Sequence, residues 1–308
     1  MVEFIKDANF DFVGKFKLAS VISIGLVAIS LIGIFSRMNY GVDFRGGAEI
    51  QVKFTEALTL KNLRSTLKGG GFKNVSVQTI GERDGNEFLI KVPSAEGDLN
   101  IVTESVGKTL KKGLGGNGVD IRKVDIVGPK AGASLRIAGF QAMGWALIAI
   151  MVYIGLRFDF KYSPGAIVAL LHDVSIILGI FAFTGTEFTL QTVAALLAVI
   201  GYSVNDTVIV YDRVREHEEH EEGITNLSVS INRAINETLS RTILTSGTTL
   251  FVALSMYFYG GASIKDFFFA ISLGVLIGTY SSIFVAAPVT LFFDGLKKKS
   301  EEPIRARA

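Results

Sequence analysis

Six nearly uncharged runs decide what this chain can fold into: 18–36, 137–156, 162–186, 188–211, 242–264 and 267–293. A helix needs about 17–25 mostly apolar residues to cross the hydrocarbon core of a bilayer, and each run reaches that length. Only His172 and Asp173 in the third run and Asp206 in the fourth interrupt them. Six such runs in 308 residues exclude a soluble protein that merely buries a few helices. The composition agrees, with 19% charged residues and a mean hydropathy of +0.43, where a soluble domain carries about a quarter charged.

Orientation follows from the short connections, where Lys and Arg collect on the cytoplasmic side. If residue 1 lies inside, then 1–17, 157–161, 212–241 and 294–308 hold fourteen Lys and Arg, while the short outer loops hold only Lys265. Both termini are therefore expected in the cytoplasm, and the long segment 37–136, exempt from the rule, across the membrane. The first run leads into Arg37-Met38-Asn39-Tyr40, not a small-residue cleavage site, so it reads as a retained anchor. The expected division is a cytoplasmic stretch 1–17, a crossing at 18–36, and an extracytoplasmic domain at 37–136. Five further crossings within 137–293 carry an inner loop at 212–241, and a cytoplasmic tail follows at 294–308.

The outer segment reads as a compact α+β domain. "AEIQVKF" (48–54) alternates as a half-buried strand does, and "TLKNLRSTLKGGGF" (59–72) places Leu60, Leu63 and Leu67 on one helical face before a glycine stop. "NVSVQTI" (74–80) and "EFLIKV" (87–92) are strands joined by a turn at Arg83-Asp84-Gly85-Asn86. A helix over 98–114, with Ile101, Val102, Val106 and Leu110 on its apolar side, and a strand over 119–127 complete the order β-α-β-β-α-β. That order is the split motif of ferredoxin-like domains. All three histidines, 172, 217 and 220, lie elsewhere, so the domain has no nucleophile–histidine pair.

In the inner loop, "REHEEHEEG" (215–223) reads as a charged, water-facing helix continuation, open to a basic partner or simply solvated. Beyond Gly223, Ile224, Leu227, Ile231, Ala234, Ile235 and Leu239 recur at helical spacing, as in an amphipathic helix on the inner surface. Zero cysteines exclude disulfides and thiolate metal sites, and a net charge of +2 gives no argument for nucleic acid. No phosphate-binding G-x-x-x-x-G-K-S/T loop is present. No cofactor or metal is expected, and membrane lipid is the one obligatory contact.

Ionisable groups in lipid are costly and usually face a bundle interior or an aqueous path. Asp206 sits about 7–8 Å short of the expected helix end at Tyr211, with Asn205 adjacent and Tyr202 one turn back. Arg241 opens the fifth crossing at a matching depth, and Thr245, Thr248 and Thr249 continue from it as a polar stripe; Ser246 and Gly247 permit close helix approach. Asp206 is either a helix-end carboxylate bonded to its neighbours or a proton-carrying group. Arg241 is either a snorkelling anchor or the charge opposite it. His172 and Asp173 lie near the midplane, pointing about 100° apart, with "TYSS" (279–282) as an uncharged partner. A carboxylate moving between apolar and cationic surroundings takes up and releases a proton, which can couple an ion gradient to helix movement.

Three separated motifs, "YGVDFRGG" (40–47), "GYSVNDTVIVYDRVRE" (201–216) and "NETLSRTILTSGTTL" (236–250), resemble the SecF family of protein-export membrane proteins. "ALLHDV" (169–174) and the segment 267–289 fit the same family, so the likeness spans essentially the whole chain. The family is a branch of the resistance-nodulation-division superfamily. The resemblance implies a partnership with SecD, association with the SecYEG channel, and contact with YajC, YidC and an unfolded preprotein released after SecA has pushed it in. It implies that proton motive force drives late-stage translocation, with no covalent chemistry on the substrate. It also implies that the coupling pair falls on Asp206 and Arg241, with Asn205, Tyr202, Thr245, Thr248, His172 and Asp173 in support. The domain-junction signature falls on Gly41, Asp43, Arg45, Gly46 and Gly47, where glycines make a tight link that either transmits domain motion or simply turns. Two other readings of the same chain are a small-molecule or lipid exporter of that superfamily and a non-energised scaffold of the channel.

Overall fold

The computed structural model describes residues 9–72, 75–80, 86–93, 99–113, 118–158, 160–220 and 226–305. Six helical rods within it are long and apolar enough to cross a membrane. The first, α1 (Phe16–Arg37), follows a short turn at Val13–Lys15. α5 (Pro129–Arg157) and α6 (Ser163–Thr184) each start with proline in the first turn, where its missing N–H costs nothing. α6 ends at Gly185, whose φ of 73° is the left-handed stop that glycine adopts freely. α7 (Leu190–His220) and α8 (Leu227–Tyr259) form a long pair, and the Asn226 side chain caps α8 by accepting from the Ser228 N–H. The last rod is broken: α9 (Ala262–Ser281) passes through a wide π-type turn at Ser282–Ala286 into α10 (Ala287–Arg305).

α7 runs past Tyr211 to His220, so the charged stretch that begins at 215 continues it as a helix, as expected, over its described part. Asp206 is therefore interior to a helix and not at its end. The inner-surface amphipathic helix is likewise no separate element, because its residues are the first turns of α8, continuous with the fifth crossing. Its polar positions are occupied. Asn236 accepts from the Phe10 N–H at 2.8 Å and donates to the Phe10 carbonyl at 2.9 Å, and Asn232 accepts from the Phe12 N–H at 2.9 Å. Two amides thus strap the N-terminal segment across the helix.

Over its described part the "REHEEHEEG" stretch faces water at Glu216, Glu218 and Glu219, as expected, while His217 turns inward. His217 is buried with Nε2 3.1 Å from Glu237, and Glu218 receives Lys161 at 2.8 Å and the Tyr162 hydroxyl at 2.8 Å. Residues 221–225 lie outside the described residues.

Between α1 and α5 the chain forms the short helix α2 (Val42–Arg45) and then the sheet domain: β1 (Gly47–Phe54), α3 (Leu60–Gly69), β2 (Ser76–Ile80), β3 (Glu87–Pro93), α4 (Leu99–Gly113) and β4 (Val119–Val127). The strands lie in the order β2-β3-β1-β4, every neighbouring pair antiparallel, with a bulge in β4 at Arg122, opposite Gln51 and Val52 of β1. Alternate residues Ala48, Ile50, Val52 and Phe54 of β1 face Leu63 and Leu67 of α3 and Val106 and Leu110 of α4. Fully burying such a side chain contributes about 1.5–3 kcal/mol. The anticipated turn at Arg83-Asp84-Gly85-Asn86 falls outside the described residues except for Asn86, which holds φ 49°.

Pairing of Gly47 with Val127 brings the domain's entry and exit together. Gly46 has φ 82°, and a Cβ there would lie 2.7 Å from the Cα of Pro129, so the junction closes only around glycine.

Candidate functional site

Helices α7, α8 and α9 enclose Asp206, which is 1% exposed. Ser246 of α8 donates to its Oδ2 at 3.4 Å, and Oδ1 has no hydrogen-bond partner among the described residues. The Ser246 hydroxyl also receives the Tyr202 hydroxyl at 3.3 Å and sits 2.7 Å from Thr279 Oγ1 of α9. Thr279 in turn lies 2.7 Å from the Val275 carbonyl in its own helix. Ser246 has one proton and two acceptors, Asp206 and Thr279, within reach. A protonated Asp206 would reverse the direction of that bond, since a carboxylic acid donates where a carboxylate only accepts.

Arg241 lies on α8 close enough for its charge to act on Asp206, but the two form no ion pair within 4.0 Å. Its own position is exposed. The stripe that follows it does not form one wall of the site. Thr245 bonds back to the Arg241 carbonyl at 3.0 Å and Thr248 to the Leu244 carbonyl at 2.9 Å. Thr248 is exposed with Ile243, Leu244, Phe251 and Val252 around a groove of about 700 Å³ on the outer face of α8. Asn205 is exposed as well, on a different side of α7 from Asp206. Of the expected neighbours, Tyr202 alone enters the network, which Ser246 and Thr279 complete.

His172 and Asp173 do form one unit. His172 Nδ1 lies 3.0 Å from Asp173 Oδ1, while Asp173 Oδ2 receives Ser203 of α7 at 2.6 Å and Ser281 of α9 at 2.8 Å. The 100° offset is bridged because the ring turns back along α6 and stacks on Tyr280, with centroids 6.0 Å apart. "TYSS" thus serves both carboxylates, Thr279 toward Asp206 and Ser281 toward Asp173. Ser203, one turn before Asp206, was missed; its i to i+3 spacing from that aspartate marks a shared inward face, although its bond goes to Asp173 of α6.

At the junction, Asp43 Oδ2 receives the N–H of Leu190, the first residue of α7, at 2.9 Å. Gly41 packs on Thr189, and its N–H donates to the Phe188 carbonyl at 2.9 Å. Gly47 opens β1, and Arg45 ends α2 with its side chain exposed. Nearby, Lys91 of β3 is only 8% exposed, yet it lies between Glu49 at 3.4 Å and Glu187 at 3.0 Å. Burial works against the Lys91 charge, but the two carboxylates outweigh it and hold the amine above its usual range. Burial raises Glu49 above the ordinary carboxylate range against the opposing pull of Lys91. No group of three or more His, Asp or Glu suited to a metal ion occurs among the described residues.

Six long apolar helices with two hydroxyl-bound carboxylates sealed between them define a multi-pass membrane protein with an ionisable interior. Residues 106–295 match the family model described as protein export membrane protein SecD/SecF, C-terminal, and 33–57 match the SecD/SecF GG motif. Protein translocase subunit SecF of Desulfurispirillum indicum is 40% identical over 92% of this chain and 94% of its own length. That of Magnetococcus marinus is 41% identical over 97% of each. The chain belongs to the SecF family of protein translocase subunits.

Two solved structures share the fold. The crystal structure of SecDF, a translocon-associated membrane protein from Thermus thermophilus, superimposes with a TM-score of 0.79 at 32% identity over 94% of this chain. SecDF in its super-membrane-facing form gives 0.72 at 31% identity over 97%. This chain spans about two-fifths of those chains, 39% and 41% respectively.

Proposed function

We propose that this chain is the SecF-type subunit of a Sec translocase, paired with SecD and acting at the SecYEG channel. In this reading it uses the proton motive force to promote late-stage translocation of an unfolded preprotein across a bacterial cytoplasmic membrane. YajC and YidC are further proposed neighbours. Both termini face the cytoplasm, and the sheet domain is a ferredoxin-like domain on the outer side, close to the emerging chain or to SecD. The work is vectorial ion movement, with no bond made or broken in the substrate.

One observation carries this reading: Asp206 is enclosed among three helices with an Oδ1 that has no partner among the described residues and a Ser246 hydroxyl that can serve either of two acceptors. A buried charge with so few bonds is expensive, so its surroundings favour exchange between charged and neutral forms. When α8 brings Arg241 closer, the ionised form gains a partner; when it withdraws, the neutral form is favoured. Moving one charge through 100 mV supplies about 2.3 kcal/mol. The relatives' names as translocase subunits support export as the process driven.

The test follows a translocation intermediate in inverted vesicles with SecD present, comparing wild type with Asp206→Asn, with and without an imposed gradient. The motor reading expects the gradient to speed release only in wild type. Equal release and equal gradient response in both would instead favour the scaffold.

A further inference from the structure

The connection between α6 and α7 is held as firmly as a strand in a sheet. Phe188 donates its N–H to the Asn39 carbonyl at 2.7 Å and accepts from the Gly41 N–H at 2.9 Å, making a parallel bridge between Tyr40 and Phe188. The Phe188 ring is 1% exposed and lies 5.2 Å from the Phe44 ring. Asn39 Nδ2 donates to the Gly185 carbonyl at 3.2 Å. Two charged contacts finish the grip: Asp43 on the Leu190 N–H, and Lys91 on Glu187.

These contacts join parts that sequence keeps far apart. Asp43 and Asn39 belong to the link that runs directly into β1, and Lys91 belongs to β3, its neighbour in the sheet. Leu190 is the first residue of α7, the helix that carries Asp206 about 24 Å further along. A carboxylate bonded to a free N–H at a helix start is a favourable cap, because those donors lack partners within the helix. Thr189 caps the Thr192 N–H from within the chain at 3.3 Å, but the Leu190 N–H is capped from another element, which ties the start of the helix to the sheet.

We propose that Asp43, with the Lys91–Glu187 ion pair, is a positioning device that makes the sheet domain and the start of α7 move as one body. Displacement of α7 during charge exchange at Asp206 is then delivered to the sheet domain, and a load on that domain is felt at Asp206. This inference rests on the ion-driven reading above.

The chain has no cysteine, so an engineered pair is unique within it. In SecD-containing inverted vesicles, Asp43→Ala should cut the gradient-stimulated part of export about tenfold, while Asp43→Asn, which keeps an acceptor oxygen, should retain most of it. Lys91→Cys with Glu187→Cys should lose the stimulation and regain it when the two thiols are joined by a short bis-maleimide. Recovery on cross-linking shows that the contact stays closed during work. Loss of export on cross-linking overturns the inference, since the contact would then have to open, and so does wild-type stimulation in Asp43→Ala. Asp206→Asn is run alongside: if it retains full stimulation, the ion-driven reading has failed; if it abolishes stimulation while Asp43→Ala does not, only the coupling has failed.

Discussion

Ser246 of α8 donates to Asp206 of α7 at 3.4 Å, and the same hydroxyl lies 2.7 Å from Thr279 of α9. A single proton therefore mediates between three helices. The adjoining seam is more firmly closed, because Asp173 receives two serines and faces a histidine. The bundle combines a loosely bonded carboxylate on α7 with a well-bonded one on α6.

Ser246→Ala removes the one hydroxyl bonded to Asp206 and should lower gradient-dependent export by about tenfold or more, the cost of leaving a buried group unpaired. Thr279→Val should act in the same direction with a smaller effect. Thr248→Val, on the outer face of α8, should leave the activity of the assembled subunit within about twofold. Export assays at matched protein levels check all three.

Asp173→Ala leaves Ser203, Ser281 and His172 without their shared acceptor. The bonds from Ser203 and Ser281 cross between helices, and such bonds in membranes average about 0.6 kcal/mol each, so their loss should destabilise the bundle by roughly 1 kcal/mol. Asp173→Asn should recover part of it. Unfolding measured in detergent micelles decides this, and unchanged stability in Asp173→Ala would show that the cluster does not tie the helices together.

Gly165 of α6 faces Thr290, the Tyr211 hydroxyl and the Ala286 carbonyl so closely that an added Cβ would collide with all three. Gly165→Ala should cost about 1–3 kcal/mol through overpacking. Gly247→Ala, with open space around its site, should cost much less. The same unfolding assay compares them.

Lys91 in the folded domain holds its proton more tightly than a free lysine. Its contribution to stability is therefore fully present below the ordinary lysine value of 10.5 and is lost as pH rises beyond it. Glu49, raised above 4.5, acts in the same sense at the acid end: its contribution is present below 4.5 and is lost as pH climbs through its folded value. Lys91→Met should destabilise the domain by about 3 kcal/mol at neutral pH by stranding Glu187 and Glu49. Glu49→Gln should be better tolerated and should flatten the acid-side dependence. Thermal unfolding across pH reads both effects.

The sheet domain was legible because its signals are local. Alternation in "AEIQVKF" and the leucine spacing of "TLKNLRSTLKGGGF" match the strand and the helix they form. The number of crossings was legible for a similar reason, since hydrocarbon excludes charge. What could not be read was which face a helix turns inward. Thr245, Thr248 and Thr249 form a stripe by spacing, yet α7 and α9 pack beside Ser246, and the threonines satisfy themselves on their own carbonyls. The length of α8 was hidden because Asn232 and Asn236 read as side chains turned to water until the N-terminal backbone is seen against them. The role of Asp43 needed the fold itself, because Leu190 is 147 residues away.

Difference infrared spectroscopy of the carboxyl region, on the SecD-paired complex in vesicles with and without a proton gradient, tests the central claim most directly. The account predicts a protonated-carboxyl band that changes with the gradient in wild type and is missing in Asp206→Asn. A spectrum unaffected by the gradient, or a gradient-sensitive band that persists in Asp206→Asn, would contradict it.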